Sequence, residues 1–322
     1  MLFTEQISLK PNLYPWTNKF IEATQANLWT DKEFSFKSDI QDFKIHLTDQ
    51  ERTSIIRSLS MIGQVEIAVK KFWSKLGDTF PHPSINDLGY VLAYTETVHG
   101  LAYSRLLEVL GIENAFDDNL KLPLIKGRVS YLRKHLEKYS QDDKKQFIYS
   151  IILFTLFIEN VSLFSQFYIV NWFRKEKNIL KDTCKQIEYT FREESIHTLV
   201  GIKLIQILQY EYPELFDDEL KNKILQEVKT AIEYESQIVD WILNGISVID
   251  LNGNTLQHFI RNRMNFALKE IGYGEPFYVD PFEIEKTKWF DELLHSNSMT
   301  DFFDGRPVEY TKNNNYDDLF DD

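Results

Sequence analysis

The chain has 322 residues, with 49 acidic and 36 basic side chains, a formal charge of −13 and a single cysteine. One cysteine excludes a disulfide framework, a Cys-rich zinc or iron–sulfur site and chemistry that needs two thiols on this chain. The negative charge disfavours a nucleic-acid surface, so we expect no nucleic-acid partner. Only 12 glycines and 9 prolines are present, which disfavours a turn-rich all-β fold and favours long helices with few breaks.

Capping signals mark the first two long helices. Residues 48–51 (Thr-Asp-Gln-Glu) predict a capping box that opens a helix running to about Leu76, which Gly77 and the Pro81-His82-Pro83 stretch end. Residues 84–87 (Ser-Ile-Asn-Asp) predict a second cap, and that helix ends at Gly111.

The rest of the chain is also predicted to be helical, since no sustained alternation of apolar and polar residues demands a sheet. Ser140-Gln141-Asp142-Asp143 opens a long apolar helix that runs through about Phe173. Further helices are predicted over 181–209, 217–243, 255–271 and 281–295.

The segment from Gln146 to Arg174 imitates a membrane span, because Glu159 is its only charge before Arg174. Polar side chains lie within it and the chain offers no second span. We therefore favour a helix buried in a soluble bundle and expect no membrane. The N-terminus shows no signal-peptide pattern, which together with the lone cysteine favours a cytoplasmic location.

Four long helices each place an acid on their apolar face, and two of them add a histidine three residues later. These residues are Glu66, Glu96, His99, Glu159, Glu194 and His197. A lone Glu precedes each Glu-x-x-His pair, by 30 residues in the first case and by 35 in the second. The order of ligand-type residues therefore repeats along the chain.

Four buried carboxylates would repel one another and lose their hydration, and two divalent cations would neutralise them. Four carboxylates with two imidazoles suit iron or manganese. Because this is the ligand arrangement of ferritin-like di-metal proteins, we predict an all-α, ferritin-like helical bundle with a di-metal carboxylate site in its core. Any one of these acids could instead be a hydrogen-bonded core residue. Glu292-x-x-His295 has the same spacing without partner acids, and we interpret it as chance.

Four stretches resemble motifs of the small (β) subunit of class I ribonucleotide reductase, and the resemblance covers nearly the whole chain. Residues 96–103 (ETVHGLAY) resemble the family's E-x-x-H-x-x-x-Y helix, and 192–197 (REESIH) resemble its R-D-E-x-x-H helix. Trp29 matches an early tryptophan of the family. Residues 302–310 (FFDGRPVEY) resemble its FFE-x-R-x-x-EY motif, and an acidic tail follows them.

The resemblance implies a subunit that makes an oxidising equivalent at a dinuclear metal centre with two ions per chain. That equivalent starts the reduction of ribonucleotides to deoxyribonucleotides at a cysteine of the large (α) subunit. By the resemblance, the six acids and histidines are the metal ligands and Tyr103 occupies the radical tyrosine position. Trp29, Glu193, His99 and Tyr310 match the electron-transfer route to the partner.

The resemblance also predicts domains and partners. We expect one ferritin-like domain over 1–305 and a flexible tail over 306–322 that docks to the large subunit, with a plain solvating segment as the alternative for the tail. A homodimer is implied. A flavoprotein activase is a further candidate partner, since either oxygen or flavoprotein-supplied superoxide could be the oxidant.

Two departures from the family bear on the metal. Glu66 and Glu193 stand where most members have Asp. A Glu at the first ligand position is known in branches that use manganese–iron or two manganese ions, and these need not oxidise the tyrosine. We therefore favour a dimanganese over a diiron centre and leave the role of Tyr103 open. The alternatives are a ferritin-like metal-storage protein, a ligand-binding di-metal oxidase, and a helical scaffold without metal.

Overall fold

The computed structural model describes residues 1–128 and 143–294, and within these ranges the chain is predominantly helical. The main helices are α1 (Trp16–Ala26), α2 (Lys37–Gln41), α3 (Asp49–Thr79), α4 (Pro83–Leu110), α5 (Glu113–Asn119), α6 (Lys144–Leu153), α7 (Phe164–Lys177), α8 (Lys181–Glu211), α9 (Asp218–Leu243), α10 (Gly253–Glu270), α11 (Pro281–Glu285) and α12 (Lys288–Leu294). In the described ranges, strand-like pairing is confined to a bridge between Val248 and Leu251. The all-α prediction is confirmed.

Local capping chemistry sets several helix ends as predicted. The Thr48 side chain accepts from the Glu51 backbone N–H while the Glu51 carboxylate accepts from the Thr48 N–H, so the capping box at the start of α3 is confirmed. Gly111 follows α4 with φ of 70°, the left-handed conformation that suits a glycine after a helix. Asp217 caps α9 by accepting from Leu220 N.

Two predicted boundaries are wrong. The helix α3 continues through Gly77 to Thr79, and α4 begins at Pro83 instead of being capped by the Ser84–Asp87 stretch. His82 is the N-cap of α4, and its Nδ1 accepts from Ser84 N. Pro83 suits the first helical position, because its nitrogen has no hydrogen to donate. The region 281–295 also differs from its prediction, since it forms the two short helices α11 and α12.

The long apolar segment passes through the interior of the bundle. Residues Lys144–Lys177 are long and apolar enough to cross a membrane by length and composition, yet the most apolar window is completely buried inside the protein. This burial supports the interpretation as a core helix. The segment departs from the predicted regular α-helix, because Phe154–Ser162 between α6 and α7 is π-helical.

Glycines allow the site-bearing elements to approach one another. The helix α3 packs along α4, and a Cβ at Gly89 would come within 2.7 Å of the Gly77 backbone nitrogen. The helix α8 packs on the π-helical segment, where a Cβ at Gly201 would overlap the Thr155 side chain. A larger residue at either contact would push apart two elements that carry predicted ligands.

Candidate metal centre

The structure brings all six predicted ligand residues together in the core. Glu66 lies on α3, and Glu96 and His99 lie on α4. Glu159 lies in the π-helical segment, and Glu194 and His197 lie on α8. Every one of the six side chains is completely buried. Such burial is costly for acids unless charge or hydrogen bonds compensate it.

One group of carboxylates surrounds the imidazole of His99. Its Nδ1 lies 3.3 Å from Glu66 Oε2, 3.3 Å from Glu96 Oε2 and 3.2 Å from Glu194 Oε1. These four residues offer ligand atoms that all lie within 4.8 Å of one another. Three oxygens and one imidazole nitrogen thus converge on one position that could hold a cation.

A second group surrounds the imidazole of His197. Its Nδ1 lies 2.8 Å from Glu96 Oε1, 3.5 Å from Glu159 Oε2 and 3.4 Å from Glu194 Oε2. Glu96 and Glu194 therefore face both histidines, each with a different oxygen. The geometry describes two adjacent positions joined by two shared carboxylates.

Hydrogen bonds within the cluster do not satisfy its polar atoms. Among the described residues, buried atoms without a hydrogen-bond partner include Glu66 Oε1 and Oε2, Glu96 Oε1, Glu159 Oε2, Glu194 Oε1 and Oε2, and His197 Nδ1. Even the 2.8 Å approach of His197 Nδ1 to Glu96 Oε1 lacks hydrogen-bond alignment. Buried polar groups are normally paired, so the residues present fit a pair of divalent metal ions.

Mutual charge and burial shift the pKa values in this cluster. Burial lowers the pKa of His99 and His197, but the surrounding carboxylates outweigh it and hold both pKa values well above normal. Burial and neighbouring carboxylates raise the pKa of Glu66 and Glu159 well above the usual range. The pKa of Glu194 is lowered because the adjacent Glu159 carboxyl and the two imidazoles outweigh burial. Without metal, protons therefore neutralise much of the cluster.

Glu193 connects His99 to Trp29. A single oxygen, Glu193 Oε2, lies 2.6 Å from His99 Nε2 and accepts the indole N–H of Trp29 at 2.8 Å. Because Glu193 lies at Nε2, a proton held on that nitrogen would leave Nδ1 of His99 for a metal. The predicted residues Trp29, Glu193 and His99 thus form one continuous chain of contacts.

Two partners of the ligands were not predicted from the sequence. Thr95 Oγ1 donates to Leu92 O at 2.7 Å and lies 3.1 Å from His197 Nε2, so it can accept the imidazole N–H. Trp73 Nε1 donates to Glu159 Oε1 at 2.9 Å. Thr95 stands directly before the ligand Glu96, which is a usable signal. In the sequence, Trp73 is indistinguishable from other core aromatic residues, so its hydrogen bond to Glu159 could not be predicted.

Tyr103 is buried on the same side of the cluster as Glu66. Its hydroxyl donates to Thr190 Oγ1 at 3.1 Å, and Thr190 in turn donates to Gln186 O. Burial, followed by the negative charge of Glu66, raises the pKa of Tyr103. The phenol therefore stays protonated and is tied to a neutral hydroxyl.

The backbone beside Glu159 is held from outside the cluster. Arg263 of α10 donates from Nε to Asn160 O at 2.6 Å and from Nη2 to Asn160 Oδ1 at 2.7 Å. Asn160 Nδ2 donates back to Arg263 O at 3.0 Å. These three hydrogen bonds satisfy polar groups in the π-helical segment next to a predicted ligand.

A cavity of about 210 Å³ opens on the outer side of Trp29. Trp29, Glu33, Tyr189 and Arg192 line it together with residues 26–28. The Trp29 and Tyr189 rings meet edge to face with centroids 5.7 Å apart. The inner cluster is therefore linked through Trp29 to a concave surface.

The remaining predicted features lie elsewhere. Tyr310, the tail 306–322 and His295 lie outside the described residues, and Glu292 is exposed at the end of the described chain. Cys184 is buried and unpaired, and burial raises the pKa of its thiol. A buried thiol with a raised pKa is poorly reactive, so we assign Cys184 no role in thiol chemistry.

A helical bundle with two Glu and two Glu-x-x-His units facing its core defines the class of ferritin-like carboxylate proteins. The family model "Ribonucleotide reductase, small chain" matches residues 6–285. The ribonucleoside-diphosphate reductase subunit beta of Treponema pallidum is 24% identical over 309 residues, covering 93% of this chain and 86% of that protein. The chain belongs to the ribonucleotide reductase small-chain family.

Solved structures agree on the fold. A putative class I ribonucleotide reductase from Bacillus halodurans matches with a TM-score of 0.78 at 20% identity, covering 86% of this chain and 99% of that one. The dimanganese(II)-NrdF of Streptococcus sanguinis matches with a TM-score of 0.73 at 16% identity, covering 88% and 99%. An R2-like ligand-binding oxidase with a Mn/Fe cofactor also shares the fold, with a TM-score of 0.68 at 18% identity over 83% and 96%.

Proposed function

We propose that this small subunit generates an oxidising equivalent at a dinuclear metal centre and passes it through Trp29 to the large subunit. The ligands would be Glu66, Glu96, His99, Glu159, Glu194 and His197. The observation that carries the proposal is the contact chain from the cluster through His99 and Glu193 to Trp29. When bound, the two ions would supply one-electron oxidising chemistry.

The residues of this chain divide the remaining work. Glu193 orients the His99 imidazole and holds the Trp29 indole proton at one oxygen. The carboxylates supply charge to balance the metals, and the buried, largely apolar surroundings exclude water from the centre. Tyr310 would continue the route beyond Trp29.

For the metals we propose manganese, with two manganese ions favoured over two irons and manganese–iron as the intermediate case. The longer side chain of Glu66 in place of Asp supports this. So does the hydrogen bond of Tyr103 to Thr190, because a tyrosine tied away from the carboxylates is less directly coupled to the metals. The oxidant is oxygen or superoxide, and superoxide would require a flavoprotein activase.

The function is tested by reconstitution. The full chain, loaded anaerobically with manganese, iron or both and then oxidised, should reduce a ribonucleoside diphosphate only when the large subunit is added. Trp29→Phe should abolish turnover while leaving two metals bound. Trp289→Phe, which removes another indole N–H donor at Tyr168, is the matched control and should stay active. Full activity of Trp29→Phe would contradict the proposal.

We propose a homodimer in the cytoplasm. The helix α4 exposes apolar side chains on the face opposite its ligands, with Tyr90 47%, Tyr94 54% and Leu101 58% accessible. A second copy that covers this face would bury them. Sedimentation should give the mass of two chains, and Leu101→Glu should shift it to one.

We further propose that the tail 306–322 docks to the large subunit through its few apolar residues. A chain truncated after residue 312 should keep its metals but lose affinity for the large subunit. Unchanged affinity would favour the solvating-segment alternative.

The two alternative functions have their own tests. A ferritin-like storage protein should form a large cage with many irons per chain, which mass in solution and a metal count would reveal. A ligand-binding oxidase should co-purify with a lipid-like ligand detectable by mass spectrometry. Either result would replace the reductase proposal.

A further inference from the structure

We propose that Trp73 is a positioning residue that makes the two metal positions unequal, by turning the Glu159 carboxylate so that Oε2 faces the metal. The inference rests on the proposed metal site and is independent of the reductase reaction. It assigns a role to a side chain outside the ligand set.

The indole of Trp73 fixes one oxygen of Glu159. Trp73 is completely buried, and its Nε1 donates to Glu159 Oε1 at 2.9 Å. The other oxygen, Oε2, lies 3.5 Å from His197 Nδ1 and has no hydrogen-bond partner among the described residues. The indole therefore fixes the rotation of this carboxylate, with Oε2 unpaired and on the side of His197.

The equivalent carboxylate at the other position carries no such restriction. Within the described chain, neither Glu66 Oε1 nor Glu66 Oε2 has a hydrogen-bond partner. No outer donor therefore orients the Glu66 carboxylate beside His99 within the described chain, whereas Trp73 orients the Glu159 carboxylate beside His197. The difference lies in the surroundings, because both ligands are glutamates.

Ring packing and hydrogen bonds hold Trp73 and Glu159 in fixed positions relative to each other. The Trp73 ring lies with its centroid 5.1 Å from that of Phe72 and 5.4 Å from that of His197. Arg263 holds Asn160, the residue after Glu159, through three hydrogen bonds. A rotation of the Glu159 carboxylate would leave a buried indole N–H unpaired, which is costly.

This arrangement predicts two unequal metal affinities. An outer hydrogen bond orients a ligand, and its loss typically weakens metal binding about 10–100-fold. Removal of the Trp73 donor should therefore act on the position beside His197 and spare the position beside His99. A general loss of stability would affect both positions alike.

The test uses manganese(II) alone with the full chain. Titration followed by the electron spin resonance signal of free manganese should resolve two affinities. Trp73→Phe should weaken the affinity of the position beside His197 about 10-fold and leave the other unchanged. Trp172→Phe is the matched control, because Trp172 is a buried tryptophan whose Nε1 donates at 2.8 Å to another carboxylate, Asp250.

A crystal structure of the manganese-loaded wild type decides the matter even if Trp73→Phe does not fold. Coordination by Glu159 through Oε2 alone supports the proposal, and coordination through both oxygens overturns it. Equal weakening of both affinities in Trp73→Phe would also overturn it. A chain with unequal positions that fails to support ribonucleotide reduction would leave this inference standing and count only against the proposed function.

Discussion

Glu193 Oε2 lies 2.6 Å from Nε2 of His99, a contact across which a buried carboxylate meets the outer nitrogen of a predicted metal ligand. The same oxygen accepts the Trp29 indole proton. One atom, Glu193 Oε2, therefore connects the cluster to Trp29, which lines the cavity.

Glu193→Gln should impair transfer of the oxidising equivalent while leaving metal binding intact. The amide keeps the shape of the side chain but replaces the carboxylate with a neutral group, which accepts more weakly from both neighbours. We expect reductase activity with the large subunit to fall about 10–100-fold, while atomic absorption still finds two metals per chain. Glu176→Gln, at an exposed carboxylate, is the control. Loss of metal in Glu193→Gln would assign Glu193 to the ligand set instead.

Thr95→Val tests the hydrogen bond behind His197. Valine keeps the volume but removes the acceptor for the Nε2–H, and an unpaired buried donor costs about 1–3 kcal/mol. We expect weaker manganese binding at the position beside His197, measured by titration. Thr97→Val is a close control, since Thr97 lies on the same helix and its hydroxyl donates only to Ala93 O. Equal effects of the two substitutions would contradict the role of Thr95.

Metal binding should weaken as the pH falls. Burial raises the pKa of Glu66 and Glu159 and the surrounding carboxylates raise the pKa of both histidines, so these groups keep their protons to a higher pH than free side chains when no metal is bound. Metal ions must displace such protons, so acid favours the metal-free form and alkali favours the loaded form. Titration between about pH 6 and about pH 8 should show rising affinity, and an indicator dye should report proton release. A pH-independent affinity would be inconsistent with these shifts.

Tyr103→Phe distinguishes a tyrosyl radical from an oxidant held on the metals. Because the Tyr103 hydroxyl donates to Thr190, we expect the variant to keep most of its activity and to fold normally. Electron spin resonance of the oxidised wild type should show a wide manganese-coupled pattern. A narrow tyrosyl signal that disappears in Tyr103→Phe, together with activity, would reverse this expectation.

Much of the fold and the ligand arrangement could be read from the sequence, because local rules act there. The Thr48–Glu51 capping box and the turn at Gly111 are short-range signals and appear as predicted. The helical spacing of Glu and His placed six residues on inward faces. The repeated order of a lone Glu and a Glu-x-x-His pair is typical of a helical bundle, and packing of that bundle brings the six residues together in two groups.

Tertiary contacts set the features that the sequence did not reveal. Glu159 was expected on a regular α-helix, but Phe154–Ser162 is π-helical and is held by Arg263, a residue about a hundred positions away. Gly77 read as a helix end, yet it serves close packing. The Trp73 contact with Glu159 likewise joins residues on separate helices, so no local pattern encodes it.

The contact between Gly77 and Gly89 sets how closely α3 and α4 approach each other. Glu66 lies eleven residues before Gly77, and Glu96 lies seven residues after Gly89. At 1.5 Å per residue these ligands are about 16 Å and about 10 Å along their helices from the glycine contact. The separation of Glu66 from Glu96 is thus set partly at this distant contact, where one added methyl group would push α3 away from α4 and move the two acids apart.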